Sequence, residues 1–356
     1  MRRARTLTIT ALTAVLTLTA GCSLAGGDGG DRGSESAAGP DSVVLVTHDS
    51  FTLPDDLIAQ FEEESGYQLE VRASGDAGEL TSKLVLSADN PLGDVAFGVD
   101  NTFASRAIDA GVFAPYSFDA PAGVADFDLP GDEEHVLTPV DNGNVCVNVD
   151  TTWFEREGVP APTDLDDLVD PAYRDLLVTP GATTSSPGMA FLLTTIAAYG
   201  DGWQQYWSDL LGNGARVVKG WSDAYYTDFT QGGGEGDRPI VVSYDSSPAF
   251  TIADDGSSTT AALLDTCFEQ VEYAGVLAGA ANVPGAEELI RFLVSPEVQA
   301  ALPESMYVFP VVDDVALPAD WERFAARPTQ PYAVDPAEVT AERDTWLRDW
   351  SDLVSR

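Results

Sequence analysis

Hydrophobic and polar positions follow two periods along this chain. Val43-Val44-Leu45-Val46 is an unbroken apolar run between turn residues, the pattern of a strand buried on both faces. A helical stretch follows near residues 54–64 and stops at Gly66. Residues 67–73 alternate like a strand, 79–87 read as helix, 94–99 as a second apolar strand and 101–110 as helix closed by Gly111. This βαβαβ order predicts a parallel sheet with helices on both faces.

The middle of the chain repeats the style. Extended segments are expected within 136–149 and 176–179, helices over 187–199 and 203–211, and a buried strand over 240–244. Gln231 to Asp237 reads as a flexible glycine-rich loop. The chain returns through Val271-Glu272-Tyr273 to a helix pair near 286–293 and 296–302. It ends in an amphipathic helix over 336–354, with Trp346 and Trp350 four apart. No internal repeat is present. Two α/β units joined by extended crossovers predict a bilobed protein, with ligand chemistry in the loops that end each strand.

The N-terminus stands apart. Arg2, Arg3 and Arg5 precede an apolar, Thr-rich stretch from Leu7 to Ala20, which is a secretory signal and short for a membrane span. Thr19-Ala20-Gly21-Cys22 resembles a bacterial lipobox, with Thr19 where that pattern prefers leucine; lipidation would fall on Cys22. An ordinary signal with an incidental cysteine is the alternative. Residues 22–40, rich in Gly, Ser, Asp and Ala, read as a tether. Two cysteines remain, Cys146 and Cys267, each in an apolar strand-like stretch. An even count in an exported chain favours a disulfide; two buried free thiols are the alternative.

Charge narrows the partners. The 356 residues include 58 acidic and 18 basic side chains, a formal net charge of −40. Such a surface repels nucleic acid and anionic membranes and attracts cations. With two histidines, His48 and His135, a Cys/His zinc site is nearly excluded by counting, and no metal site is assigned. No Gly-x-Ser-x-Gly elbow occurs either, so a serine hydrolase is not expected.

The strand-ending loops hold the candidate chemistry. They contain His48-Asp49-Ser50-Phe51, Gly75-Asp76, Asp100-Asn101, Ser185-Ser186-Pro187, Lys219-Gly220-Trp221 through Tyr225-Tyr226, Ser243-Tyr244 through Phe250, and Met306-Tyr307. Trp221, Tyr225, Tyr244, Phe250 and Tyr307 suit a box for a flat cation, at about 0.5–2 kcal/mol per desolvated face. Asp49, Asp76 and Asp100 suit an amino group. Ser-Ser-Pro suits a helix start that caps itself and offers N–H groups to a hydroxyl or phosphate. The bland alternatives are core aromatics, ordinary caps and a loop histidine.

These blocks resemble the thiamine-binding proteins of bacterial thiamine ABC importers, a family of bilobed extracytoplasmic solute-binding proteins. The Lys219-Gly220-Trp221-Ser222 and Ser243-Tyr244-x-x-Ser247-Pro248-Ala249 blocks are its most specific carriers. The resemblance implies an α/β, two-lobed periplasmic-binding-protein-like fold, each lobe a mostly parallel sheet flanked by helices, with the ligand cleft between lobes. The division expected is 41–141 plus 271–356 for lobe 1 and 142–270 for lobe 2. Ligand contacts are implied at His48, Asp76, Ser185, Trp221, Tyr244, Phe250 and Tyr307; Asp100, Ser186 and Tyr225 join them by position. The family has tyrosine where His48 and Phe250 stand and tryptophan at Tyr307.

The implied function is a monomeric, lipid-anchored protein that captures thiamine or its phosphate esters and hands it to an ABC permease. It would use no cofactor and catalyse nothing. A ferric-ion binder, suggested by Tyr225-Tyr226, or a polyamine binder of the same fold is the alternative. A protonated His48 against a cationic ligand would repel it, with Asp49 blunting the effect.

Overall fold

A computed structural model describes residues 41–356. The expected signal, Cys22 and the tether lie outside the described residues. The first part alternates as its pattern predicts: β1 (Ser42–Thr47), α1 (Asp55–Ser65), β2 (Gln68–Ala73), α2 (Ala77–Leu86), β3 (Val95–Asp100) and a short α3 (Ala104–Asp109). Gly66 ends α1 with φ 75°, a left-handed conformation glycine adopts without a Cβ penalty. β1 pairs parallel with β2 and β3.

Next come β4 (Thr138–Asp150), α4 (Thr151–Glu157), β5 (Leu177–Pro180), α5 (Ser186–Tyr199), α6 (Trp203–Gly212), β6 (Arg216–Val218) and β7 (Ile240–Tyr244). β5 pairs parallel with β6 and β7, a second parallel triplet. The chain continues through β8 (Thr260–Val276), α7 (Val283–Leu293), α8 (Pro296–Met306), β9 (Phe309–Pro310), α9 (Ala319–Phe324) and α10 (Pro336–Val354).

One ribbon joins the triplets. β4 has 13 residues and β8 has 17, and they pair antiparallel over most of their length. The C-terminal end of β8 adds β3 with its partners, while the C-terminal half of β4 adds β7 with its own. The sheet order is therefore β2-β1-β3-β8-β4-β7-β5-β6, with β9 on β4.

The β4–β8 register jumps midway. Val145 faces Phe268, yet Val147 faces Leu263, so β8 bulges opposite Cys146. Cys146 and Cys267 are disulfide-bonded at this bulge, both fully buried, with Cα atoms 4.1 Å apart.

The two largest apolar clusters among the described residues pack on the sheet. One packs β1 and β3 against α1, α7 and α8. The other gathers α5 and α6 with Trp346 and Trp350 of α10. Trp350 meets Trp207 edge-on at 5.5 Å, and Trp207 Nε1 donates to Thr195 Oγ1 at 2.9 Å. The C-terminal stretch is therefore shared: α7 and α8 pack with the first triplet, whereas the α10 tryptophans complete the core of the second. The Trp346/Trp350 stripe thus finds an apolar partner on α6.

The disulfide links positions 121 residues apart. Replacing both cysteines by alanine should cost about 2–5 kcal/mol, because the unfolded chain regains the freedom of a long loop. Urea unfolding of unreduced wild type against Cys146→Ala/Cys267→Ala checks this; coincident midpoints would contradict it.

Candidate ligand-binding site

The loops that follow the strands converge on one cavity of about 30 Å³. β1 leads to His48 and Ser50, and the start of α2 brings Asp76. Ser186 and Pro187 enter at the start of α5, and Trp221 after β6. Tyr244 ends β7, Glu272 belongs to β8, and Met306 and Val308 flank the end of α8.

Trp221 forms the central wall. Its indole N–H donates to Ser243 Oγ at 3.0 Å, and Ser243 in turn meets Ser247 Oγ at 2.9 Å. Tyr225 stacks on it at 5.0 Å with planes 17° apart. Tyr226, Tyr244 and Tyr307 surround it at 5.2–6.2 Å. A π-helical turn over Asp223–Asp228 presents the two tyrosines, a departure from α geometry that recurs at functional sites. Tyr225 is buried and its phenol is pushed up to about 12, so it stays neutral.

Asp76 ties two walls together. Its carboxylate accepts from Ala77 N–H at 2.7 Å, which starts α2, and from Trp221 N–H at 2.9 Å. Around it, Gly78 and Glu79 N–H both point at the Thr184 carbonyl, at 3.0 and 3.3 Å. Ser50 meets Ser222 at 3.2 Å, and Lys219 meets Glu79 at 3.0 Å. Burial raises the Asp76 carboxyl, against the lowering effect of these hydrogen bonds, Ser185 and His48. Together these contacts latch the cavity shut. Small-molecule sites span roughly 300–1,000 Å³, so ligand entry requires the latch to part.

The α5 start differs from the expected self-capping turn. Ser185 precedes the helix in extended conformation and makes no side-chain cap. The Ser185 and Ser186 hydroxyls are both buried without a hydrogen bond of normal geometry. Of the two, Ser186 lines the cavity, at the first turn of α5.

The floor is ionic. His48 is 6% exposed, and its Nε2 lies 3.5 Å from Glu272 Oε1. Desolvation lowers the imidazole, but Glu272, with Asp76 and Asp49, outweighs it and leaves its pKa above 6.5. Gly98, at φ 93°, gives the ring room: a Cβ there would collide with it. Asp141 faces Glu272 across β4–β8, and burial beside that carboxylate holds it well above the ordinary range.

Not every expected residue reaches the cavity. Asp100 is fully buried, and its Oδ1 accepts from Thr102 N–H, Thr102 Oγ1 and Phe103 N–H at 2.6–3.1 Å. Burial raises it to about 7. It organises the turn into α3. Phe250 packs edge-on against Tyr307 at 3.9 Å and against Trp321, in the layer behind. Tyr307 ends α8 at φ 63°, an unusual conformation for tyrosine, and its carbonyl accepts from Ser246 at 2.6 Å. Tyr225 stands behind Trp221. A second cavity, about 330 Å³, lies by Phe127, Phe268 and Tyr332 and contains none of the expected site residues.

Glu272 is absent from the expected contacts, and Ser50 is present there only as part of its loop. The signal for Glu272 was a lone carboxylate in the apolar run Val271-Glu272-Tyr273. A charge in a strand buried on both faces needs a partner or a ligand.

A family model described as bacterial extracellular solute-binding protein matches residues 90–334. The thiamine-binding periplasmic protein of Escherichia coli (strain K12) is 30% identical over 321 residues, covering 88% of this chain and 94% of that protein. The solved structure of a periplasmic thiamin binding protein superposes with a TM-score of 0.76 at 30% identity, over 88% of this chain and 96% of the other. A ferric binding protein from Campylobacter jejuni shares the fold, with a TM-score of 0.68 at 16% identity over 88% of this chain and 99% of that one.

The latch makes a prediction at Gly78. A Cβ there would lie 2.8–2.9 Å from the Thr183–Thr184 backbone. Gly78→Ala should favour α2 by about 1 kcal/mol, yet hold the walls apart. Helix content by circular dichroism should be retained, while small-angle X-ray scattering of the ligand-free protein should show a larger radius of gyration. Identical scattering would refute the latch.

Proposed function

The chain belongs to the bacterial extracellular solute-binding proteins, and from that premise we propose that its solute is thiamine or a thiamine phosphate. It has the two-lobed periplasmic-binding-protein fold and works outside the cytoplasm as the binding component of a transport system, not as an enzyme. The observation that carries the thiamine reading is that Trp221, backed by Tyr225, lines one cavity together with Tyr244, Asp76 and Glu272. A flat cation meets an aromatic face on one side and carboxylates on the other. The similar proteins named for thiamine support the same choice.

Each part of the ligand has a partner of fitting chemistry. The thiazolium charge goes to Trp221 and the floor carboxylate. The aminopyrimidine amine suits Asp76, whose carboxylate already accepts from N–H donors. The hydroxyethyl arm or its phosphate suits the α5 start, where the buried Ser186 hydroxyl lacks a partner. Tyr225 and Tyr307 back Trp221, Phe250 packs behind Tyr307, and Asp100 lies beside Glu272 on β3. We assign residues 41–141 with α7 and α8 to one lobe, and 142–270 with α10 to the other. Opening would flex the β4–β8 ribbon between them.

Iron is the weaker reading. Tyr225 and Tyr226 are adjacent, but Tyr225 is stacked on Trp221, and among the described residues no group of three or more His, Cys, Asp or Glu side chains gathers to complete a metal site. Delivery to an ABC permease, anchoring through a lipid on Cys22 and action as a monomer complete the proposal.

Calorimetric titration with thiamine, its monophosphate and its diphosphate tests the ligand. Saturable binding of at least one is expected, and no heat with any of them would defeat the reading. Trp221→Ala should fold yet bind about 1–3 kcal/mol more weakly, read by the same titration. Wild-type affinity in that variant would remove Trp221 from the site.

A further inference from the structure

The cavity floor holds more charge than a cap or a core requires. Glu272 is 5% exposed, deep in β8. Among the described residues, His48 is the cationic side chain within ion-pair distance of it, at 3.5 Å. Carboxyl groups flank it on both neighbouring strands. Asp141 of β4 and Asp100 of β3 are both in register with Glu272. Both Asp141 oxygens and Asp100 Oδ2 are buried without a hydrogen bond, as is His48 Nε2. Asp76 at the α2 start and Asp49 beside His48 add negative potential from the entrance. Tyr244 of β7 turns its hydroxyl to Gln270 Oε1 at 3.2 Å, not to the acids.

Asp141 is held toward its protonated form, which leaves the negative charge of the pair facing His48. His48 and Glu272 both line the cavity, so this charge is open to whatever enters.

We propose that Glu272 selects a cationic ligand by supplying its countercharge, and that the His48 imidazolium holds this place until the ligand displaces its proton. The proposal rests on the thiamine reading. One positive charge enters with the thiazolium, and one leaves as a proton from His48 to solvent. The cavity keeps its net charge, and no covalent bond other than that N–H is broken. Without the exchange, two cations would share one carboxylate in a desolvated space, where like charges repel strongly.

The sign of the pH effect follows. The ligand binds the form with neutral His48, so affinity falls as pH drops through the imidazole pKa of the free protein and is level above it. That pKa lies above 6.5 because of Glu272, Asp76 and Asp49. One linked proton gives a loss of up to about tenfold per pH unit on the acid side.

Two measurements test this. Calorimetry of thiamine binding below the His48 pKa, in two buffers of different ionisation enthalpy, counts protons. Wild type should release close to one per thiamine; Glu272→Gln should bind at least tenfold more weakly and release none. His48→Tyr should bind without proton release. Proton NMR of the ligand-free protein then reads His48, assigned by its loss in His48→Tyr, which leaves His135 as the remaining histidine. Its titration should lie above 6.5 in wild type and move down in Glu272→Gln. Tight thiamine binding with no proton release, or an unmoved His48 titration in a folded Glu272→Gln, would overturn the proposal and leave the thiamine reading intact. Absence of thiamine binding would defeat that reading instead. The same proton count with putrescine would then decide the role of Glu272: release supports it and no release overturns it.

Discussion

β4 and β8 pair along most of their length, and each then leaves the other to join a different parallel triplet. That pairing sets the position of everything else. The two strands carry the chain between the triplets, their backbone hydrogen bonds hold them side by side, and the buried disulfide ties them at the bulge. Such a ribbon must serve as core on its flanks and as floor at its middle. β4 shows the compromise: all 13 of its residues are buried, yet Asp141, Asn142, Asn144 and Asn148 are among them. Most find fixed partners. Asn144 meets Asp245, and Asn142 reaches the carbonyls of β9. Asp141 has no donor beside either carboxyl oxygen, and it stands opposite Glu272, which lines the cavity.

Two electrostatic scales meet at this floor. The whole surface, at −40, gathers cations over distances limited by screening. That field is unselective. Selection comes from a few carboxyls removed from water, where each charge must be matched. Long-range attraction and short-range matching reinforce each other for a cationic solute and conflict for an anionic one.

Local order was legible wherever one period ran unbroken. β7 and α10 have the bounds their patterns predict, because an apolar run and a 3.6-residue stripe each dictate one outcome. β8 was visible only near its end. Its first half, Thr260 to Thr266, is partly exposed, and the bulge breaks the two-residue alternation there. The site was legible as a set of loops but not as a layering. Sequence spacing put Trp221, Phe250 and Tyr307 on equal terms. Packing then placed Trp221 at the cavity and the other two behind it. Asp100 looked like a ligand group because a free carboxylate and a turn-forming one share a sequence signature. Glu272 was hidden for the opposite reason: it arrives from a strand interior rather than a strand-ending loop.

The shut latch has a consequence for time as well as for strength. A cavity of about 30 Å³ admits no solute by diffusion alone, so capture waits on how often Asp76 releases Trp221 and Thr184 releases α2. Each of these bonds, being modest singly, breaks readily; broken together they form a barrier. The fraction of molecules standing open therefore multiplies the encounter rate, and the same barrier, met from inside, sets how long a captured solute stays. Substitutions that loosen the latch would shorten the dwell time before they altered any group that touches the solute.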